Sequence, residues 1–482
     1  MVNDHQKSNV KPMMFALLLG GFIAFLSETL LNVALRDLMG EMHVSPTTVQ
    51  WLTTGYMLVI GILVPITAFL VQWFTSRQLY LTALIVFTIG VLVAGLAPNF
   101  SILLFGRLIQ AIGTGLIIPV MMNTILVIIP IEKRGSAMGM IVMVMMIAPA
   151  TGPSLSGLIL EQLNWRWLFF ITLPFLILAI VLVSMYMKNT MELKKPKIDL
   201  LSILLSTIGF GGVLFGFSKI GESTGGLDSA VILPLLIGVL GIILFVWRQL
   251  ILDEPMLDVR TFKYPMFTAG LLLVIIGMMT YFASMLLLPM YMQGVLGLSS
   301  FIAGLALLPG GVINGLMSPI TGKLFDRFGP KLLVIFGFII MLTTFWFLSH
   351  LSLYSGIVMV VILYSCLMIG LSMVFMPAQT NGMNQLPPQY YPHGTAIMGT
   401  LQQIGGAIGT SLFVSLMTAG QSDFLGKTKQ PDDPNQKIMA LSNGIEYAFT
   451  VAFIILAIGI LISLFLKKAH APLFSGNQRK EG

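Results

Sequence analysis

The chain has 482 residues, of which 56% are hydrophobic and only 9% charged, where an average soluble domain carries about 25% charged residues. That composition excludes a water-soluble globule of this size, a disordered chain, a collagen and a disulfide scaffold. The 26 Lys and Arg outnumber the 19 Asp and Glu, for a formal charge of +7. In so apolar a chain this excess is expected to hold loops against anionic lipid rather than to read nucleic acid. The single cysteine, Cys366, allows no internal disulfide and no multi-cysteine metal cluster.

A membrane-crossing helix needs about 20 mostly apolar residues. In chain order the sequence offers fourteen such segments, at 13–36, 50–72, 79–96, 103–127, 137–160, 167–187, 199–218, 229–250, 267–291, 302–321, 331–349, 356–377, 395–418 and 446–466. Lys7 and Lys11 precede the first. It is too long for a signal-peptide core and has no small-x-small cleavage site, so it is expected to be retained. Asp199 and Glu446 stand where the seventh and fourteenth spans begin and are read as caps, because a helix N-terminus favours an acid. Residues 419–445 form the longest expected outside loop. With both termini cytoplasmic, nineteen Lys and Arg fall inside and six outside, with Arg107 left within the membrane. That bias sets the orientation. The expected fold is all-α, with fourteen transmembrane helices.

An internal repeat organises the spans. Residues 65–74 (PITAFLVQWF) match 319–328 (PITGKLFDRF) at an offset of 254, with five of ten positions identical. A weaker echo follows at an offset of 259, where Arg134-Gly135-Ser136-Ala137 aligns with His393-Gly394-Thr395-Ala396. Spans 1–6 are then equivalent to spans 9–14, and spans 7–8 are an inserted pair. The expected division is an N-terminal six-helix bundle at 1–187, the inserted pair with its linkers at 188–263, and a C-terminal six-helix bundle at 264–482. Two parallel halves are a transporter plan, with substrate bound near mid-membrane between them.

Several motifs carry a family resemblance. Gly322-Lys323-Leu324-Phe325-Asp326-Arg327-Phe328-Gly329-Pro330-Lys331 is similar to the loop signature of the major facilitator superfamily, intact here in the second half. In the first half Gln72 stands where an Asp is usual and Thr75 where a Gly is usual, so the usual latch is not expected there. Arg107-Leu108-Ile109-Gln110-Ala111-Ile112-Gly113 resembles the span-four signature, with Ala111 where Gly is common. Gly152-Pro153-Ser154-Leu155-Ser156-Gly157 resembles the span-five antiporter signature. Residues 28–35 (ETLLNVAL) resemble that of span one, with Glu28 for the usual Asp and Arg36 for the usual Pro. The resemblance covers nearly the whole chain. It points to the fourteen-helix drug:proton antiporter family, and most to lincomycin-resistance-type multidrug efflux proteins of Gram-positive bacteria. It implies a major facilitator fold in a bacterial plasma membrane. It also implies a proton-driven exporter of amphipathic antibiotics, dyes or biocides, working as a monomer with protons as coupling ion and no other cofactor. By the same resemblance, Gly152, Pro153 and Gly157 seal the two halves. Asp326, beside Gly322, Arg327 and Gly329, would cap or pair with a neighbouring helix end in the outward-open state.

The residues support this reading in their own right. Glu28 and Arg107 are the only Asp, Glu, Lys or Arg placed well inside the hydrocarbon, where such residues are costly and usually functional. Span one runs outward and span four inward, so at about 1.5 Å per residue the two lie at similar depth. They are expected to face one another, or to share Gln110 or a water. The proton affinity of a buried carboxyl depends on its water access and on the distance of a nearby cation, so this pair is the minimum equipment for proton coupling. The second half has Tyr364, Ser365 and Cys366 where the first has Arg107. It is expected to contribute surface: Tyr281, Asn314, Gln379, Gln402 and Gln403, with Asn32 and Tyr56 from the first half. One intramembrane acid suits neutral, zwitterionic or singly charged ligands. No histidine falls deep inside a span and no metal-spaced cluster exists, so no enzyme is expected. No Gly-x-x-x-x-Gly-Lys-Ser/Thr loop exists for an ATP-driven pump. A flippase or exporter of a lipid or amphipathic metabolite on the same scaffold stays open.

Overall fold

The computed structural model describes residues 10–189, 199–222, 229–351, 355–428 and 433–468. Among these the chain forms fourteen long helices and no strand: α1 (Val10–Met42), α2 (Pro46–Trp73), α3 (Ser76–Gly95), α4 (Phe100–Ile128), α5 (Arg134–Gln162), α6 (Leu173–Tyr186, after a single turn at Trp167–Phe170), α7 (Leu200–Glu222), α8 (Ser229–Ile251), α9 (Pro265–Gly294), α10 (Ser300–Phe328), α11 (Pro330–Leu348), α12 (Ile357–Gln385), α13 (Tyr391–Lys427) and α14 (Pro434–Leu464). Thirteen are long and apolar enough to cross a membrane. The exception is α13, whose 37 residues include Thr395, Thr400, Gln402, Gln403, Gln421 and Asp423.

Local chemistry sets many of the helix starts. The side chains of Thr75, Asn99 and Ser299 accept backbone N–H bonds at the heads of α3, α4 and α10, satisfying donors that the first turn leaves orphaned. Pro265, Pro330 and Pro434 open α9, α11 and α14, where a missing N–H is harmless. Gly329, at φ +80°, closes α10 and turns the chain into α11, a left-handed conformation that a Cβ disfavours. Asp199 caps α7 as expected, accepting from Ser202 N at 3.4 Å and Ser202 Oγ at 2.5 Å. It also pairs with Arg248 of α8 at 2.8 Å.

Two expectations at the chain's end are corrected. Glu446 is not a cap: α14 begins twelve residues earlier, and Asp433 caps it by accepting from Asn435 N at 3.2 Å. The loop at 419–445 is also mostly absent, because α13 runs through Lys427 and α14 starts at Pro434. Hydropathy ends where the membrane does, but i→i−4 hydrogen bonding carries on through polar residues, helped here by an exposed Asp423–Lys427 pair one turn apart.

Helices α1–α6 pack largely among themselves, as do α9–α14. The two groups meet mainly where α5 lies on α10 and where α2 lies on α13. α7 and α8 pair with each other, and α7 leans on both α2 and α13. Its Phe215 stacks on Trp51 of α2 at 6.0 Å, and Ser411 Oγ of α13 donates to the Phe217 carbonyl at 2.7 Å. At the end of the bundle away from Asp326, Glu41 ties the end of α1 to the α5–α6 turn, accepting from Trp165 Nε1 at 2.8 Å and from Arg166 at 2.9 Å.

Candidate functional site

Arg107 occupies the second turn of α4, facing α1, and is only 1% exposed. One of its terminal nitrogens donates to the Ser27 carbonyl and to Gln110 Oε1, both at 3.1 Å. Its guanidinium carbon lies 4.1 Å from the ring centre of Tyr56 on α2. The Tyr56 hydroxyl and Thr114 Oγ1 share a 2.6 Å hydrogen bond. Tyr56 is fully buried, so it is a shelf under the cation and not the exposed lining residue expected from sequence. Arg107 Nε, its second terminal nitrogen and Gln110 Nε2 are buried donors with no hydrogen-bond partner. Each such group costs about 1–3 kcal/mol when left unpaired. An ionised carboxylate, which only accepts, is the complementary group.

Glu28 supplies that group within coulombic range of Arg107, yet the two make no direct ion pair in this conformation. Glu28 is half-buried, and Tyr281 of α9 is also within its electrostatic reach. The acid therefore stands on the side of α1 that looks both toward Arg107 and across to the second helix group. Sequence reasoning placed Glu28, Arg107 and Gln110 together, and the structure does too. It adds the Tyr56–Thr114 shelf, which a tyrosine among apolar residues does not announce.

The other expected lining residues divide. Tyr281, Gln402 and Gln403 are half-buried, and Gln402 Nε2 has no partner. Asn314 and Gln379 are each 1% exposed and are packed, not lining, in this conformation. Asn314 Nδ2 donates to the Met368 carbonyl at 2.8 Å, joining α10 to α12. Gln379 Nε2 lies 3.9 Å from the sulfur of Met122, across the two groups. The side chains of Asn32 and Pro153 lie outside the described residues.

The motif residues gather where α5 meets α10, at the end that the Lys and Arg bias assigns to the cytoplasm. Asp326 Oδ1 accepts from Gly135 N at 2.9 Å, and its Oδ2 accepts from Ser136 N at 3.0 Å and Ser136 Oγ at 2.9 Å. One carboxylate of the second group thus caps the N-terminus of α5 in the first, where orphaned N–H groups and the helix dipole favour it. Gly322 permits this approach, since a Cβ there would run into the backbone of Gly135 and Ser136. Arg327 is exposed, with its cation 5.1 Å from the Phe328 ring. Gly152 faces Thr29 of α1, whose Oγ1 reaches the Pro149 carbonyl at 3.3 Å. A Cβ at Gly157 would meet open space, while Leu155 packs against the cluster that includes Phe25, Leu26 and Leu30 of α1.

One residue here escaped sequence reasoning. Arg134, given no bonding role there, is 6% exposed. It donates to Tyr391 Oη at 2.8 Å, Asn384 Oδ1 at 3.2 Å and the carbonyls of Leu126 (2.5 Å) and Ile129 (3.1 Å). It joins α4 and α5 to α12 and α13. The repeat had already marked it, by aligning it with His393.

Comparison with known proteins agrees with this geometry. The profile of the Major Facilitator Superfamily matches residues 17–410. The lincomycin resistance protein LmrB of Bacillus subtilis is 56% identical over 464 residues, covering 96% of this chain and 97% of that protein. The multidrug export protein EmrB of Escherichia coli is 28% identical over 434 residues, covering 89% and 84%. Among solved structures, the human organic anion transporter MFSD10 superposes with a TM-score of 0.64 at 12% identity, covering 94% of this chain and 99% of that one. The two-group helical fold, the capping of α5 by Asp326 and the extent of these matches place the chain in the Major Facilitator Superfamily.

Proposed function

We propose that this multi-pass protein of the bacterial cell membrane is a proton-driven multidrug efflux antiporter that works by alternating access. The names of its lincomycin-resistance and multidrug relatives support drugs as the substrate class. The observation that carries proton coupling is the half-buried Glu28 beside three unpartnered buried donors on Arg107 and Gln110. In one state Glu28 is protonated and stands free of Arg107. In the other it is ionised and its carboxylate fills the vacant donors. Drug leaves when the proton loads from outside, and inward opening returns the proton to the cytoplasm. Tyr281, Gln402 and Gln403 offer the half-buried surface nearest this chemistry in kind, with a ring and amides that suit amphipathic ligands of low charge. The proposed architecture is fourteen spans in a 6+2+6 arrangement with both termini cytoplasmic, active as a monomer.

In this reading the contacts at Asp326 and Arg134 hold the end assigned to the cytoplasm shut, as the outward-facing side of the cycle requires. The test is dye accumulation in everted vesicles energised by a proton gradient. Wild type accumulates dye and loses it on adding a protonophore. Glu28→Gln, expressed at wild-type level, shows no gradient-dependent uptake. Wild-type uptake in that variant overturns the assignment. Transfer of a labelled lipid in place of dye would indicate a flippase on the same fold.

A further inference from the structure

Position 72 is where the repeat would set a first-half counterpart of Asp326. There Gln72 turns back on its own helix, its Nε2 donating to the Ala68 carbonyl at 2.9 Å. The partner helix on that side is α13, whose N-cap residue, Tyr390, supplies no side-chain hydrogen bond. Another element meets the start of α13. The middle of the segment between α8 and α9 is buried: Met256, Leu257, Asp258 and Thr261 are 3%, 3%, 6% and 0% exposed, while Asp253, Glu254, Phe262 and Lys263 on either side are exposed. Connecting segments ordinarily run over the surface, because their backbone polar groups need partners. This one finds them in side chains. Leu257 N donates to Gln249 Oε1 at 3.0 Å, and Gln249 Nε2 donates to Ser202 Oγ at 2.7 Å. Asp258 N donates to Nδ1 of His393, in the first turn of α13, at 3.1 Å. Tyr264 then meets the Tyr390 ring at 6.0 Å, Tyr390 meets His393 at 6.4 Å, and Met266 N donates to Gln385 Oε1 of α12 at 2.7 Å.

We propose that residues 253–264 are a strap that holds the start of α13 in place of the missing first-half latch, and that His393 is the positioning residue that fastens it. The arrangement is the counterpart of Arg134, the residue the repeat aligns with His393. Arg134 ties α5 directly to the second group, whereas His393 ties α13 to the inserted pair through the strap. Nδ1 accepts a backbone N–H, so the ring serves as a neutral acceptor with its proton on Nε2. The same point of the strap is anchored in α7 and α8, because Leu257, next to Asp258, bonds Gln249 and Gln249 bonds Ser202, which gives the inserted pair a part in gating. The proposal rests on the alternating-access reading, because the strap must release α13 for the closed end to open.

The test uses the full-length protein with Cys366→Ser and Thr261→Cys, in everted vesicles, and follows alkylation of the buried thiol by a membrane-impermeant reagent. Without drug or gradient, the parent reacts slowly. His393→Leu removes the acceptor and raises the rate about tenfold, as expected for losing one buried hydrogen bond. His393→Asn, whose Oδ1 can take the place of Nδ1, restores the parent rate. Gln249→Leu cuts the other tether and also raises the rate, which keeps the test informative if His393→Leu fails to fold. Drug with a proton gradient accelerates alkylation of the parent, and Glu28→Gln abolishes that acceleration. Equal rates for His393→Leu and parent, or an Asn variant as fast as the Leu variant, overturn His393 as the fastener. A parent rate that does not respond to turnover makes the segment a static brace and overturns its part in the cycle. Full efflux in Glu28→Gln defeats the proton-coupling reading alone and leaves the His393 result standing.

Discussion

The first helix group carries a buried cation, an acid in reach of it and a stacked tyrosine, but its loop motif has lost the carboxylate that would latch it. The second group keeps that carboxylate at Asp326, and what it sets within electrostatic reach of Glu28 is Tyr281, with Tyr364 beyond it. Under the proposed cycle the two halves divide the work: one would switch charge and the other would hold the gate shut. The physical reason is cost. A second ionisable pair in the membrane interior would add a large desolvation penalty, while one well-formed cap across the α5–α10 contact already closes that end.

The comparison can be broken first at its strongest point. Glu28→Gln is expected to remove gradient-driven dye uptake entirely, because among the described residues no other acid lies within reach of Arg107. Wild-type drug resistance in a strain expressing it would move proton chemistry elsewhere. Next in size is Asp326→Asn, which weakens three hydrogen bonds to α5. Bonds to a charged group contribute about 1.5–3 kcal/mol each, so the closed end should open. The expected reading is faster labelling of a cysteine at Ser318, buried beside Gly139, together with slower efflux. Unchanged labelling would show that the second half is not the latch.

A finer distinction concerns Tyr56. Tyr56→Leu removes the face under Arg107, which for a desolvated cation is worth about 2 kcal/mol, and should shift the pH dependence of efflux. Tyr56→Phe keeps the ring and loses only the Thr114 bond, so its pH profile should stay close to wild type. Equal behaviour of the two variants would assign the role to the hydroxyl. The smallest effect is expected outside both groups, at Asp199. Hydrogen bonds from Arg248 hold its carboxyl at about 2, down from the usual 3.8, and Ser202 adds to them. A depressed acid contributes stability that is fully present above its unfolded value and is lost as pH falls from about 4 toward 2. Asp199→Asn should therefore cost less than about 1 kcal/mol at neutral pH, since the pair is partly exposed. In thermal unfolding of purified protein, the difference from wild type should vanish in acid.

Legibility in the sequence tracked how few explanations a residue allows. Glu28 and Arg107 could be paired because charge in lipid is rare and helix rise fixes depth. Asp326 could be assigned because its motif is intact. Tyr56, Asn314 and Gln379 are buried in this conformation, which the sequence did not indicate, since a tyrosine or amide in a span reads the same whether it faces a cavity or a neighbouring helix. Arg134 and the 253–264 segment read as loop charge and linker, because nothing local tells a buried connection from a solvated one. Glu446 was misplaced because apolar runs mark the membrane edge, not the helix end.

What the sequence carries by itself is the set of apolar segments, a Lys and Arg bias between the loops, the internal repeat and an acid and a cation placed within the spans. These follow from transfer free energy and charge, which each short segment carries independently of the rest. Only the tertiary structure decided that Glu28 stands off from Arg107, that Asp326 caps α5, and that a buried segment meets His393 at the head of α13. Hydrogen-bond partners across such contacts are chosen by packing between helices up to 257 residues apart, and no local pattern records that choice.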